Sequence, residues 1–228
     1  MLCKRQTSAV YPETEKQPFL ETARKGENKF WRTYGTDKIE AEKALLALVP
    51  DAYIVRPPYL YGPMNNVYRE AFVFDCAMAG RPFYLPKDGS LKLQFFMVED
   101  LCRFFEAILN DDVGGHRNLN SERIFNVGNE ASVSIRDWVS LCYGACGKTP
   151  EFIEVYSEEE YRKFFPFYNY EYKLDVSRQK KLLPSTIPLE EGIKLAFNWY
   201  KDEAHQKEVN KKQYFDFIDN ELSEAGNR

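Results

Sequence analysis

The sequence of 228 residues predicts an α/β protein built around a parallel sheet, and three observations carry that expectation. Short runs rich in β-branched and aromatic residues alternate with longer stretches of helical periodicity. The order strand, helix, strand near the start is the mark of a parallel layer. A composition that is 44% hydrophobic and 15% aromatic can fill one sizeable core or two small ones.

Thr7 to Tyr11 reads as the end of a strand, and Thr36 to Val49 as a helix whose apolar positions are Ile39, Leu45, Leu46 and Val49. Ala52 to Val55 is a buried strand. A helix over Tyr68 to Ala79 precedes the turn Pro86-Lys87-Asp88-Gly89, the apolar run Leu93 to Val98 and a helix from about Glu99 to Asn110. Ile124 to Gly128 is a short strand closed by glycine, Ser134 is an N-cap for a helix through Cys146, and Phe152 to Tyr156 is strand-like. Glu158 to Phe164 and Leu189 to Lys201 read as helices, and Asp202 to Glu224 as a charged, weakly amphipathic tail helix with a solvated face.

The formal net charge of −4 speaks against a nucleic-acid partner, which needs a basic face. No stretch reaches the ~18 consecutive apolar residues of a membrane span, and Met1 to Arg5 lacks the apolar core of a signal peptide, so a cytoplasmic location is expected. The 5 cysteines have no C-x-x-C spacing; no metal site is expected, and Cys142 and Cys146, four apart on an apolar helix, read as buried thiols.

One spacing points to chemistry. Tyr34 and Lys38 are four residues apart at the start of a helix and therefore project on the same side. A free tyrosine titrates near 10, and a neighbouring ammonium favours the phenolate, which brings it within reach of general-base work at neutral pH. A hydroxyl from the preceding strand, Thr7 or Ser8, is placed to hold the substrate oxygen.

Six segments in a fixed order resemble the extended short-chain dehydrogenase/reductases, the group of nucleotide-sugar epimerases and dehydratases. They are Thr7-Ser8-Ala9-Val10-Tyr11-Pro12, Tyr34-Gly35-Thr36-Asp37-Lys38 with Glu42-Lys43, and Arg56-Pro57-Pro58-Tyr59-Leu60-Tyr61-Gly62-Pro63. Phe95 to Leu101, Ile124 to Gly128 and Trp199-Tyr200 complete the set. The resemblance implies NAD or NADP as cofactor, Tyr34 as acid/base, and Lys38 as the group that lowers its pKa and orients the cofactor. It selects Thr7 over Ser8 as the catalytic hydroxyl and brings Pro57, Pro58 and Tyr59 near the nicotinamide. Ser8, Tyr61, Asn65 and Lys92 are the candidate substrate contacts.

The sequence also departs from the family. These enzymes open with a strand and a glycine-rich turn that holds the cofactor pyrophosphate, and nothing before Thr7 can do that. The expected fold is therefore a partial doubly wound, Rossmann-like parallel sheet lacking its first strands, with a small mixed α/β substrate-binding region. A gene fragment, a mis-started frame, a split protein or a diverged pseudoenzyme each account for that, and the chain alone is expected to bind NAD weakly or not at all. The Asp-Glu pair of the dehydratases is replaced by Ser8-Ala9, and the arginine that grips the diphosphate by Leu93, with Lys92 or Arg81 as substitutes. The aromatic run Phe164 to Tyr172 reads as loop packing rather than a ligand surface.

The expected division is 1–63 for the remnant of the dinucleotide-binding domain, 64–202 for the substrate-binding region and 203–228 for the tail. The expected function is an NAD(P)-dependent epimerase or reductase acting on a sugar-like or other secondary alcohol or ketone. The alternative is an inactive fragment or pseudoenzyme with a binding role toward a small molecule, the acidic balance speaking against RNA. A homodimer, or association with a missing N-terminal half, is a family expectation.

Overall fold

The computed structural model describes residues 29–113, 123–156, 161–168, 171 and 173–222; within these ranges the side chains of 29–37, 39 and 111–113 are not described. The chain forms two units, each assembled from three separated stretches. The first takes its described residues from within 29–58, 100–130 and 173–186, and the second from within 59–99, 131–172 and 187–222. This differs from a division at 63 and 202, because the partners that bury each strand lie far along the chain.

In the first unit a long helix, α1 (Lys29–Leu48), leads through a short turn into strand β1 (Ile54–Arg56). β1 pairs in parallel with β6 (Ile124–Asn126), Ile54 opposite Ile124 and Arg56 opposite Asn126. Helix α3 (Val98–Val113) belongs to this unit apart from its first two residues. It buries Phe104 and Ile108, four apart on one face, and the Phe104 ring meets Phe125 of β6 edge-on at 5.4 Å. The stretch 173–183 closes the far side of β6. Asn126 donates to the Asp175 carbonyl at 3.1 Å, and the Gln179 amide both accepts from the Gly128 N–H at 2.6 Å and donates to the Gly128 carbonyl at 3.2 Å. A side chain thus completes the backbone pairing where β6 ends.

The second unit holds β2 (Tyr59–Tyr61) parallel to β5 (Phe95–Met97), and β3 (Phe83–Pro86) parallel to β8 (Phe152–Val155). β4 (Lys92–Leu93) is antiparallel to β7 (Val133–Ser134). Helix α2 (Glu70–Met78) is apolar nearly all round and accordingly central, packed against α4 (Ile135–Ala145) and α6 (Leu189–Tyr200). Ser134 caps α4 as its sequence requires, its hydroxyl accepting from the Asp137 N–H at 3.0 Å. Phe95 stacks on Trp138 at 5.2 Å, and Phe167 meets both rings edge-on. Phe164, which closes the short helix α5 (Tyr161–Phe164), is fully buried together with Phe165 and Phe167, which makes that part of the aromatic run core packing.

Residues 203–222 are not one solvated tail helix. They form α7 (Glu203–Gln206), α8 (Tyr214–Phe217) and a π-helical turn (Ile218–Leu222), with Val209, Tyr214 and Ile218 buried. Asn210 bridges in parallel to Val67, Tyr214 stacks on Tyr68 at 5.7 Å, and the Arg81 guanidinium lies over Phe215 and pairs with Asp219. Asp75 gathers three donors: Tyr68 Oη at 2.6 Å, Tyr200 Oη at 2.8 Å and Lys211 Nζ at 2.8 Å. Two of the charges that suggest a solvated helix, Lys211 and Asp219, are spent on these ties, and Val209, Tyr214 and Ile218 enter the core.

Candidate active site

Tyr34, Lys38 and Glu42 recur every four residues along α1. Such a spacing advances about 40° per step, so the three positions form a slowly winding stripe. Glu42 marks where the stripe meets the sheet. Its carboxylate is buried and takes both prongs of Arg56, Nε at 2.8 Å and Nη2 at 2.7 Å. The turn 49–53 reverses the chain between helix and strand, so moving back from Glu42 toward Tyr34 runs past the carboxyl end of β1. Lys38 lies about 6 Å and Tyr34 about 12 Å along the helix from the level of the ion pair. In open α/β sheets, that end of the strands is where ligands bind. Lys38 is exposed there.

The other predicted residues have varied placements. Thr7 and Ser8 lie outside the described residues. Pro57 and Pro58 continue β1 and are half-buried, and Tyr59 begins the second unit. There Tyr59 packs edge-on to Phe167 at 4.8 Å beneath the Arg69 guanidinium, 5.0 Å from its ring, and burial pushes its phenol above the usual range. Tyr61 was expected beside the substrate but is only 1% exposed, wedged against Phe95 and helix α6 at Gly192. Asn65 is engaged within its own loop: its amide donates to Glu70 at 2.9 Å, and its Oδ1 accepts from the Val67 N–H at 3.1 Å. Lys92 is exposed on β4, beside the buried Leu93.

Sequence reasoning missed Glu70. It opens α2 fully buried, and Oε1 accepts from the Gly62 N–H at 3.1 Å and from Asn65, while Oε2 has no hydrogen-bond partner among the described residues. Burial raises its pKa above 4.5, against the opposing pull of those hydrogen bonds. Gly62 itself adopts φ +124°, and a β-carbon there would fall 2.8 Å from Met97 Sδ, so the loop needs glycine. Arg56 Nη1 and Asn126 Oδ1, a donor and an acceptor at paired positions of β1 and β6, are also buried without a hydrogen-bond partner among the described residues. The sequence offered no signal for these beyond the residue types.

Residues 4–128, more than half of the chain, match the family described as NAD dependent epimerase/dehydratase. The chain belongs to the NAD-dependent epimerase/dehydratase family. Among curated members, the chloroplast stem-loop binding protein of 41 kDa b of Arabidopsis thaliana is 29% identical over 167 residues, 71% of this chain and 43% of that protein. A trifunctional UDP-glucose 4,6-dehydratase, UDP-4-keto-6-deoxy-D-glucose 3,5-epimerase and UDP-4-keto-L-rhamnose reductase of the same plant is 27% identical over 207 residues, 85% of this chain and 28% of that one. The chain therefore spans less than half the length of these relatives. The same fold appears in the dTDP-glucose 4,6-dehydratase of Bacillus anthracis, a complex with NAD, with a TM-score of 0.60 at 16% identity over 87% of this chain and 57% of that one. A UDP-glucuronic acid 4-epimerase variant of Bacillus cereus gives 0.58 at 17% identity over 86% and 57%.

Members of the epimerase/dehydratase family use NAD, whose pyrophosphate needs free backbone N–H groups at a strand-to-helix glycine turn. Among the described residues of the first unit, the glycine that follows a strand is Gly128, and Gln179 occupies both its N–H and its carbonyl.

Proposed function

We propose that this chain carries the proton-transfer part of an epimerase or reductase acting on a sugar-like secondary alcohol or ketone. The observation that supports the reading best is the stripe on α1, with Tyr34 and Lys38 one turn apart and Glu42 pinned to Arg56. Tyr34 returns or accepts the proton at the substrate oxygen, Lys38 favours its phenolate and orients the cofactor, and Thr7 holds the substrate oxygen. Pro57 and Pro58 line the approach to the nicotinamide, and Ser8 contacts substrate. NAD or NADP supplies the hydride chemistry when bound.

The test is conversion of UDP- and dTDP-sugars with NAD or NADP by a version extended to the full length of the relatives, parent against Tyr34→Phe. Turnover is expected to fall by about 100-fold or more; a variant near the parent rate would overturn the role of Tyr34.

A further inference from the structure

We propose that Arg56 and Asn126 bind one interior water molecule between the ends of β1 and β6, and that this water closes a path of hydrogen bonds joining all three stretches of the first unit.

The sheet places the two side chains together. Arg56 and Asn126 are the last residues of their strands and register partners in the parallel pair. Partners across a parallel ladder send their side chains out of the same face of the sheet. Both are buried, Arg56 at 2% exposure and Asn126 at 0%. Each is held by a different neighbour: the guanidinium gives Nε and Nη2 to the Glu42 carboxylate of α1, and the Asn126 amide donates through Nδ2 to the Asp175 carbonyl at 3.1 Å.

Those neighbours fix which atom each side chain has left. A carbonyl only accepts, so Asp175 sets the orientation of the amide and leaves Oδ1 as an acceptor. The two-pronged grip of Glu42 takes one edge of the guanidinium and leaves Nη1 as a donor. Among the described residues neither Nη1 nor Oδ1 has a hydrogen-bond partner, and both are shut off from bulk solvent. A buried donor and a buried acceptor on one face of the sheet, not bonded to each other, call for a third group between them.

The chemistry of the two atoms selects that group. It must accept from a guanidinium N–H and donate to an amide oxygen. A cation is repelled by Arg56, and a simple anion accepts from Nη1 but has no proton for Oδ1. A hydroxyl does both, and water is the smallest molecule that carries one. Interior waters ordinarily serve buried polar groups that the fold itself leaves unsatisfied. With the water in place, one path runs from Glu42 through Arg56, the water and Asn126 to the Asp175 carbonyl. Glu42 and Arg56 belong to the stretch 29–58, Asn126 to 100–130 and Asp175 to 173–186. The inference stands independently of the proposed activity.

The test is a crystal structure of the whole chain at a resolution that shows ordered water, together with oxygen-17 magnetic relaxation dispersion, which counts long-lived interior waters in solution. One water is expected at hydrogen-bonding distance, about 2.7–3.2 Å, from both Arg56 Nη1 and Asn126 Oδ1. Asn126→Leu removes the acceptor. Glu42→Leu combined with Arg56→Met removes the donor and leaves no charge behind. Each is expected to lower the solution count by one water. A parent structure without that water, or with a protein group bonded to either atom in its place, overturns the proposal. An unchanged count in either folded variant does the same. Where neither variant folds, the parent structure decides alone.

Discussion

Arg56 at the end of β1 and Glu42 on α1 are fourteen residues apart and meet as a buried ion pair with two hydrogen bonds, at 2.8 and 2.7 Å. The pair does for α1 what a longer apolar face does for other helices: Leu45 and Leu48 of the same helix are exposed, so the carboxylate is a principal tie between helix and strand. Removing one partner strands a charge in the interior. Glu42→Ala is expected to cost about 3–5 kcal/mol. The double variant Glu42→Leu with Arg56→Met is expected to recover most of that, because no unpaired charge remains. Urea unfolding of the three proteins checks both; equal losses in the single and double variants would show that the charge itself is not what matters.

Glu70 gives stability a pH dependence of definite sign. Its folded-state pKa is raised above 4.5 by burial. Below 4.5 the group is protonated folded or unfolded, and its contribution is fully present. As pH climbs through the folded pKa, the unfolded chain releases its proton first and stability is lost, by at most about 1.4 kcal/mol per pH unit. The parent should therefore lose stability relative to Glu70→Gln between pH 4 and pH 8. Parallel stability profiles in urea across that range would refute the assignment.

Gly192 lies within α6, where alanine ordinarily stabilises a helix by about 1 kcal/mol. A β-carbon there would collide with the ring end of Tyr61, whose Cζ would be 2.9 Å away. Gly192→Ala is expected to destabilise by about 1–3 kcal/mol instead. In a Tyr61→Phe background, with the hydroxyl gone, the loss should shrink by about 1 kcal/mol. Thermal unfolding of the four proteins gives the coupling, and a stabilising Gly192→Ala would mean that Tyr61 is free to move.

Several elements were legible because their signals are local. Ser134 caps α4, and α6 spans Leu189–Tyr200 almost as its periodicity predicts. β1 and β6 lie where short apolar runs end at Arg56 and before Gly128. The strands β2 and β3 were not. Pro57, Pro58 and Pro82 precede them, and only partners 36 and 69 positions further on, Phe95 opposite Tyr59 and Phe152 opposite Phe83, hold them extended.

For the candidate site the division is similar. The sequence carries the four-residue spacing of Tyr34, Lys38 and Glu42 and the order of segments that resembles the epimerase/dehydratase family, since both are properties of neighbouring residues and of their succession. It could not say that Glu42 would find Arg56, that Tyr61 would be buried under α6, or that Gln179 would claim the backbone of Gly128. Nor could it show that a charged C-terminal stretch would fold back and place Lys212 and Tyr214 near Arg162. Those outcomes depend on which distant groups compete for each buried charge, ring and hydrogen bond. Only the tertiary structure decides that competition, because a helix or turn is stabilised by its own residues, whereas a buried polar group is stabilised by whatever the fold brings to it.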